Sequence, residues 1–190
     1  IEYQQARRNF YNSLDSLSRG LRSICRTIET NQFNFEIQRY AVLAAIAAGR
    51  PYLGLCLGLQ LLYDEADEHG ATPGFGLLRG RVERFPDHGA DGKRLLVPHI
   101  GWNEVRWSQS AAAHPMLAAL PERDHYYYVH SYRPLPRDLA TVVGVTEYGG
   151  DFAAAVAKQN IFAVQFHPEK SQAAGKRLLD AFATWVASCR

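Results

Sequence analysis

Two short stretches of this 190-residue sequence carry side chains able to do covalent chemistry. In PYLGLCLGLQLLYDE, Pro51 to Glu65, a single thiol, Cys56, stands between Gly54 and Gly58. In VQFHPEKSQ, Val164 to Gln172, an apolar run delivers His167, Pro168 and Glu169. A cysteine on a tight strand-to-helix turn is lifted out of a sheet, and small neighbours permit the turn. The helix N-terminus then favours a thiolate and offers backbone N–H groups to a developing oxyanion. A histidine at a strand end can act as general base. A carboxylate two residues on can accept its other ring N–H and hold the tautomer, the role of the acid in a nucleophile–histidine–acid triad. Pro168 stiffens the backbone between the two. Each stretch also has a plainer reading. A free cysteine is among the most buried residue types, and His-Pro-Glu alone reads as a solvated turn. Their co-occurrence in one small chain favours chemistry.

A third stretch, YYYVHSYRP from Tyr126 to Pro134, alternates as a strand does. Tyr127, Val129 and Ser131 point one way and Tyr126, Tyr128, His130 and Tyr132 the other. Its first two tyrosines read as a half-buried aromatic strand, and its His130-Ser131-Tyr132 end as the polar rim of a pocket. His69, His88, His114 and His125 have no spacing that suggests a site and read as surface residues; Cys25 and Cys189 carry no signal.

These groups need a scaffold. The length suits one domain with a real core, and 47% hydrophobic with 21% charged residues is ordinary for a globular chain. A net charge of +2 without a basic tract argues against nucleic acid or a membrane surface as partner. Three scattered cysteines make neither a disulfide framework nor a zinc site. No signal peptide is evident, and the apolar run Ala41 to Ala48 is too short to span a bilayer, so a reducing cytoplasm is expected. Leu14, Leu17, Leu21, Ile24 and Ile28 are spaced as on an amphipathic helix, and a second helix is expected from Glu36 to Ala48 with Gly49 as its cap. Tyr52–Leu55 reads as a strand and Leu57 to about Ala66 as a helix.

Strands are then expected at Arg81–Phe85, Arg94–Val97, Glu104–Trp107, Tyr126–Tyr132, Thr141–Glu147, Phe152–Ala157 and Ile161–Phe166. Turns fall at Gly149-Gly150 and Gln159-Asn160. A last helix from Ser171 to Ala187 takes Ser171 as its N-cap. Helices and strands that alternate early, followed by strands in succession, describe an α/β fold with antiparallel additions.

At this point the motifs carry a resemblance. GLCLGLQLLYDEADE, PGFGLLRGRVERFP, VPHIGWNEV, YYYVHSY and FAVQFHPEKSQAAGKRLL resemble class I, triad-type glutamine amidotransferases from about Ala48 to the C-terminus. VPHIGWN and HPEKSQ are similar, more narrowly, to the glutaminase subunits of imidazole glycerol phosphate synthases. The resemblance implies a flavodoxin-like sheet flanked by helices, with residues 41–190 as the amidotransferase domain and 1–40 as an atypical helical segment. It implies Cys56 as nucleophile, His167 as general base and acid, Glu169 as orienting acid and the Leu57 backbone as an oxyanion donor. Gln60, Glu68, His130, Ser131 and Tyr132 would border the glutamine substrate. His99, Trp102, Asn103, Tyr127 and Lys170 would face a cyclase subunit in a heterodimer that receives the ammonia for histidine biosynthesis. It implies no cofactor and no metal. The family's opening strand and its P-G-V-G-A-F loop, which supplies a second oxyanion donor, have no counterpart in residues 1–50. The start is therefore expected to be divergent or short, with N-terminal strands missing from the sheet. The chain as written is expected to turn over glutamine slowly or not at all, even with its partner.

Overall fold

The computed structural model describes residues 36–68, 70–108 and 114–189. The amphipathic helix expected before residue 30, Cys25 and His69 lie outside them. The chain divides into two compact units at Ala44–Ala45. Helix α1 runs over 36–47 and stops at Gly49, whose φ of +77° suits glycine.

The strands are β1 (Tyr52–Leu55), β2 (Glu65–Ala66), β3 (Thr72–Pro73), β4 (Gly80–Arg84), β5 (His99–Trp107), β6 (Arg123–His130), β7 (Tyr132–Pro136), β8 (Val142–Glu147), β9 (Asp151–Lys158) and β10 (Ile161–Val164). Among the described residues they form a six-stranded sheet in the order β1-β10-β9-β8-β5-β6 and a four-stranded sheet in the order β3-β2-β4-β7. In the larger sheet β1 runs parallel to β10, with Leu55 opposite Val164, and the remaining pairs are antiparallel. The hairpin expected at Gly149-Gly150 joins β8 to β9, and Gln159 takes a positive φ of 53° between β9 and β10.

All four residues of β10 are buried, as a strand covered on both faces must be. Helix α3 (Gln172–Ser188) packs Ala174, Leu178, Ala181 and Trp185 into the core that contains Phe162, Val164 and Phe166. Its first turn can approach the His-Pro-Glu segment only because residue 175 is glycine. A Cβ there would lie inside the van der Waals envelope of the Pro168 carbonyl oxygen.

Several elements differ from expectation. The helix after Cys56, α2, is only Leu57–Gln60, because the chain turns to feed β2 into the smaller sheet. Arg94–Val97 is no strand; Arg94 makes one isolated bridge to His88. The strand expected from Glu104 begins at His99 instead. Tyr126–Tyr132 is split at Ser131, where the chain leaves one sheet for the other. Ser171 caps no backbone N–H of α3. Its hydroxyl instead donates to the His167 carbonyl (2.6 Å) and accepts from the Tyr127 N–H (2.9 Å). Among the described residues no helix is long and apolar enough to cross a membrane, and no cluster of three or more His, Cys, Asp or Glu could hold a metal ion.

Candidate active site

The cysteine elbow forms where β1 ends. The Cys56 N–H donates to the Val164 carbonyl at 2.8 Å, so the residue is still tied to β10 as the chain turns. Its backbone sits at φ 48°, ψ −101°, a conformation rare for a residue with a side chain. Both flanking glycines have steric reasons. A Cβ on Gly54 would lie 2.7 Å from the Gly58 carbonyl oxygen and 2.9 Å from Ala163 Cβ; one on Gly58 would lie 3.3 Å from the Tyr52 hydroxyl. That hydroxyl donates to the Gly58 carbonyl at 2.9 Å and braces the turn.

His167 leaves the end of β10, the strand parallel to β1. Its N–H donates to the Tyr127 carbonyl at 2.9 Å, which ties it to β6. Its Nδ1 lies 2.7 Å from Glu169 Oε1. An ionised carboxylate only accepts, so the proton sits on Nδ1 and the Nε2 lone pair is left free. Nε2 is buried and makes no hydrogen bond, the state required of a general base awaiting a proton.

The sulfur has different neighbours. Gln165 Nε2 donates to Cys56 Sγ at 3.6 Å, and no hydrogen bond joins Sγ to His167 in this structure. The thiol is pushed above its ordinary range, chiefly by burial. The Leu57 N–H and the Gln165 amide pull it down, and the charges of Glu169 and Glu68 add to the rise. The expected thiolate-favouring effect of the helix start is therefore present at Leu57 but outweighed, since α2 is one turn long and burial costs the charged form more.

Gln60 and Glu68 line one cleft of about 280 Å³ with Leu57, Leu61, Thr72 and Pro73. Gln60 Nε2 donates to the Tyr132 carbonyl (3.2 Å) and to Gln165 Oε1 (3.1 Å). Ser131 contributes its carbonyl to the Phe85 N–H.

His130, expected at a pocket rim, is buried. Its Nδ1 lies 2.8 Å from the Tyr132 carbonyl and its Nε2 lies 3.0 Å from His99 Nδ1. His99, expected to face a partner, is only 3% exposed and lies stacked between Tyr128 and Tyr148, with ring centroids at 4.7 and 3.8 Å. Burial holds both imidazoles down, His99 to about 3 and His130 to about 4 from the ordinary 6.5. A base whose folded value is depressed adds stability above its unfolded value and loses it as pH falls toward the folded one. Stability is therefore expected to fall as pH drops from about 6.5 toward 4 for His130 and on toward 3 for His99. Urea midpoints across that window should show a shallower fall in a His99→Gln/His130→Gln variant.

Other expected residues lie outward. Trp102 is 48% exposed, and its ring meets Tyr127 across the β5–β6 pair at 6.2 Å. Lys170 Nζ stands 6.0 Å from the Tyr127 ring centroid, so these three share a face. Ile100 and Val129, both exposed, extend it. Asn103 points to the opposite side, its Nδ2 donating to the Glu147 carbonyl at 2.9 Å. His88 and His125 are exposed, as is Cys189. His114 is half-buried, its ring packed edge-on against Trp185 at 4.7 Å. Gln165 is the residue that sequence reasoning missed. An amide inside the apolar run AVQF was the available signal.

Comparison with known proteins gives this geometry a family. Residues 29–184 match the family model described as glutamine amidotransferase class-I. The chain is 50% identical over 146 residues to imidazole glycerol phosphate synthase subunit HisH of Methylococcus capsulatus, covering 76% of this chain and 66% of that protein. It is 48% identical over 148 residues to the subunit of the same name from Aromatoleum aromaticum, covering 76% and 68%. The chain thus spans about two thirds of the length of these curated relatives. Among solved structures, a glutamine amidotransferase from Thermotoga maritima matches with a TM-score of 0.50 at 18% identity, over 81% of this chain and 56% of that one. Another glutamine amidotransferase matches at 0.51 and 20%, over 78% and 68%. These two likenesses speak for the fold, a mixed α/β sheet of the glutamine amidotransferase kind. The family match over residues 29–184 and the identity to these relatives show that the chain belongs to the class I glutamine amidotransferase family.

Proposed function

We propose that this chain is the glutaminase subunit of an imidazole glycerol phosphate synthase, releasing ammonia from glutamine for a cyclase partner in histidine biosynthesis. The observation that carries the reading is the His167 ring. Glu169 locks the proton on Nδ1, and a free, buried Nε2 is held at the end of the strand parallel to the one bearing Cys56. Its wider support is the match, at about half identity, to subunits named for that synthase.

In the proposed reaction glutamine enters the cleft of Gln60 and Glu68. His167 Nε2 takes the thiol proton, and the Cys56 sulfur attacks the side-chain amide carbon. The Leu57 N–H, which already lies against the sulfur, donates to the oxyanion. His167 returns its proton to the nitrogen as the C–N bond breaks, and ammonia departs. Water, deprotonated by the same Nε2, cleaves the thioester; glutamate leaves and the thiol is restored. Glutamate release, measured with and without cyclase, tests the reading. Turnover that persists in Cys56→Ala would overturn it.

The exposed face of Trp102, Tyr127, Lys170 and Ile100 is the proposed cyclase contact. Aromatic residues beside a cation are frequent interface anchors. Trp102→Ala is expected to weaken cyclase binding by about 10–30-fold, as loss of one anchor does. Calorimetric titration checks this, and unchanged affinity would remove the face from consideration.

A second reading is an impaired relative. It is favoured by the burial-raised thiol, which leaves little thiolate at neutral pH. It also rests on the sequence: residues 1–50 hold no counterpart of the glycine loop that would supply a second oxyanion donor. On this reading glutamate release stays at background even with cyclase present, whereas the first predicts partner-dependent turnover.

A further inference from the structure

The hydrogen bonds around Gln165 have only one consistent polarity. The Tyr132 carbonyl oxygen can only accept. It therefore fixes the proton of His130 on Nδ1 and the amide of Gln60 with Nε2 toward it. With its ring neutral, His130 Nε2 must accept, so His99 donates from Nδ1. Gln60 has its second N–H pointed at the neighbouring amide, which must present oxygen there. That leaves Gln165 no choice at its other end: Nε2 faces Cys56 Sγ. A flipped amide would set two N–H donors against each other at Gln60. Gln165 is completely buried, and its own N–H is held by the Ala154 carbonyl at 2.8 Å, so its backbone cannot turn away.

We infer that Gln165 is a positioning residue: its buried amide holds the Cys56 sulfur through Nε2 and the substrate-cleft amide of Gln60 through Oε1, so that nucleophile and cleft wall keep one fixed geometry. A thiolate accepts such a bond more strongly than a thiol, because charge-assisted hydrogen bonds are the stronger ones. The same amide is one of two groups that favour the thiolate, the Leu57 N–H being the other, while Glu169 and Glu68 act against it. His167 stands on the adjacent strand end without a bond to the sulfur. The consequence for turnover rests on the glutaminase reading; the hold on the sulfur does not.

The test is therefore made on the thiol itself. Cys56 alkylation by iodoacetamide is followed against pH by peptide-resolved mass spectrometry, with Cys189 in the same sample as an internal reference. Gln165→Met removes donor and acceptor while keeping the side chain's length. Its Cys56 midpoint is expected to rise by about one pH unit, the scale of one hydrogen bond to a charged sulfur. Gln165→Glu, which sets a carboxylate against the sulfur, should raise it further. The Cys189 midpoint should not move in either. An unchanged Cys56 midpoint in folded Gln165→Met overturns the inference.

A measurement on the unaltered protein stands beside the variants. The side-chain amide resonances of Gln165 should shift with the Cys56 midpoint and stop doing so in Cys56→Ser. Resonances indifferent to that titration overturn it equally, whatever the variants do. If the alkylation shift appears while glutamate release never does, the hold is real and the glutaminase reading fails.

Discussion

Cys56→Ala and His167→Ala are each expected to lower glutamine turnover by about 10⁶-fold, and the double variant by no more than either alone. The reason is that the two side chains act on one event. Without the sulfur, the free Nε2 of His167 has no thiol to deprotonate; without the imidazole, a thiol lifted by burial stays protonated at neutral pH. Groups that act as a unit give non-additive losses. Glu169→Gln should cost about 10⁴-fold by a different route. A glutamine amide 2.7 Å from Nδ1 can present its own N–H, which moves the ring proton to Nε2 and hides the lone pair the reaction needs. Glutamate release under saturating cyclase gives all four numbers. Losses for Cys56→Ala and His167→Ala that multiply in the double variant would show two independent contributions and sink the triad.

Gly175→Ala is expected to remove about 3 kcal/mol or more of stability, although alanine is the better helix former by roughly 1 kcal/mol. The added methyl would enter the space of the Pro168 carbonyl oxygen, which is backbone and cannot swing aside as a side chain would. Either α3 slides outward, unpacking Leu178 and Trp185, or the turn carrying His167 and Glu169 shifts. For a chain of this size the melting temperature should fall by roughly 6–12 °C. Activity should fall further than the folded fraction accounts for, because the Nδ1–Glu169 bond lies in the displaced turn. Calorimetry and glutamate release on the same sample separate the two effects. A variant as stable and as active as the parent would mean that helix and turn do not abut as described.

The parts of the site that could be read from sequence were those fixed by local covalent geometry. Gly-x-Cys-x-Gly announces an elbow because the turn leaves no room for a Cβ at Gly54, where one would lie 2.7 Å from the Gly58 carbonyl oxygen. His167 and Glu169 are two residues apart, so their bond needs no distant element. Residues whose role depends on register were harder. His99 and Trp102 are three positions apart on one strand and must face opposite ways, but that parity is visible only once β5 is known to begin at His99. Strand β7 carries Pro134 and Pro136, which argue against a strand in sequence. It is tolerated because β7 is an edge of the smaller sheet. Gln165 reads as one polar residue in an apolar run, and its partners lie 105 and 109 positions away.

The backbone N–H of Cys56 bonded to the Val164 carbonyl has a kinetic meaning as well as a geometric one. It extends the parallel ladder between β1 and β10 past its last pair, Leu55 and Val164, and His167 follows three residues after that carbonyl. Proton exchange at this amide therefore requires the ladder to open at the end where the reactive groups are held. The exchange clock of one backbone proton, read in deuterated water, then times how often nucleophile and base lose their common frame.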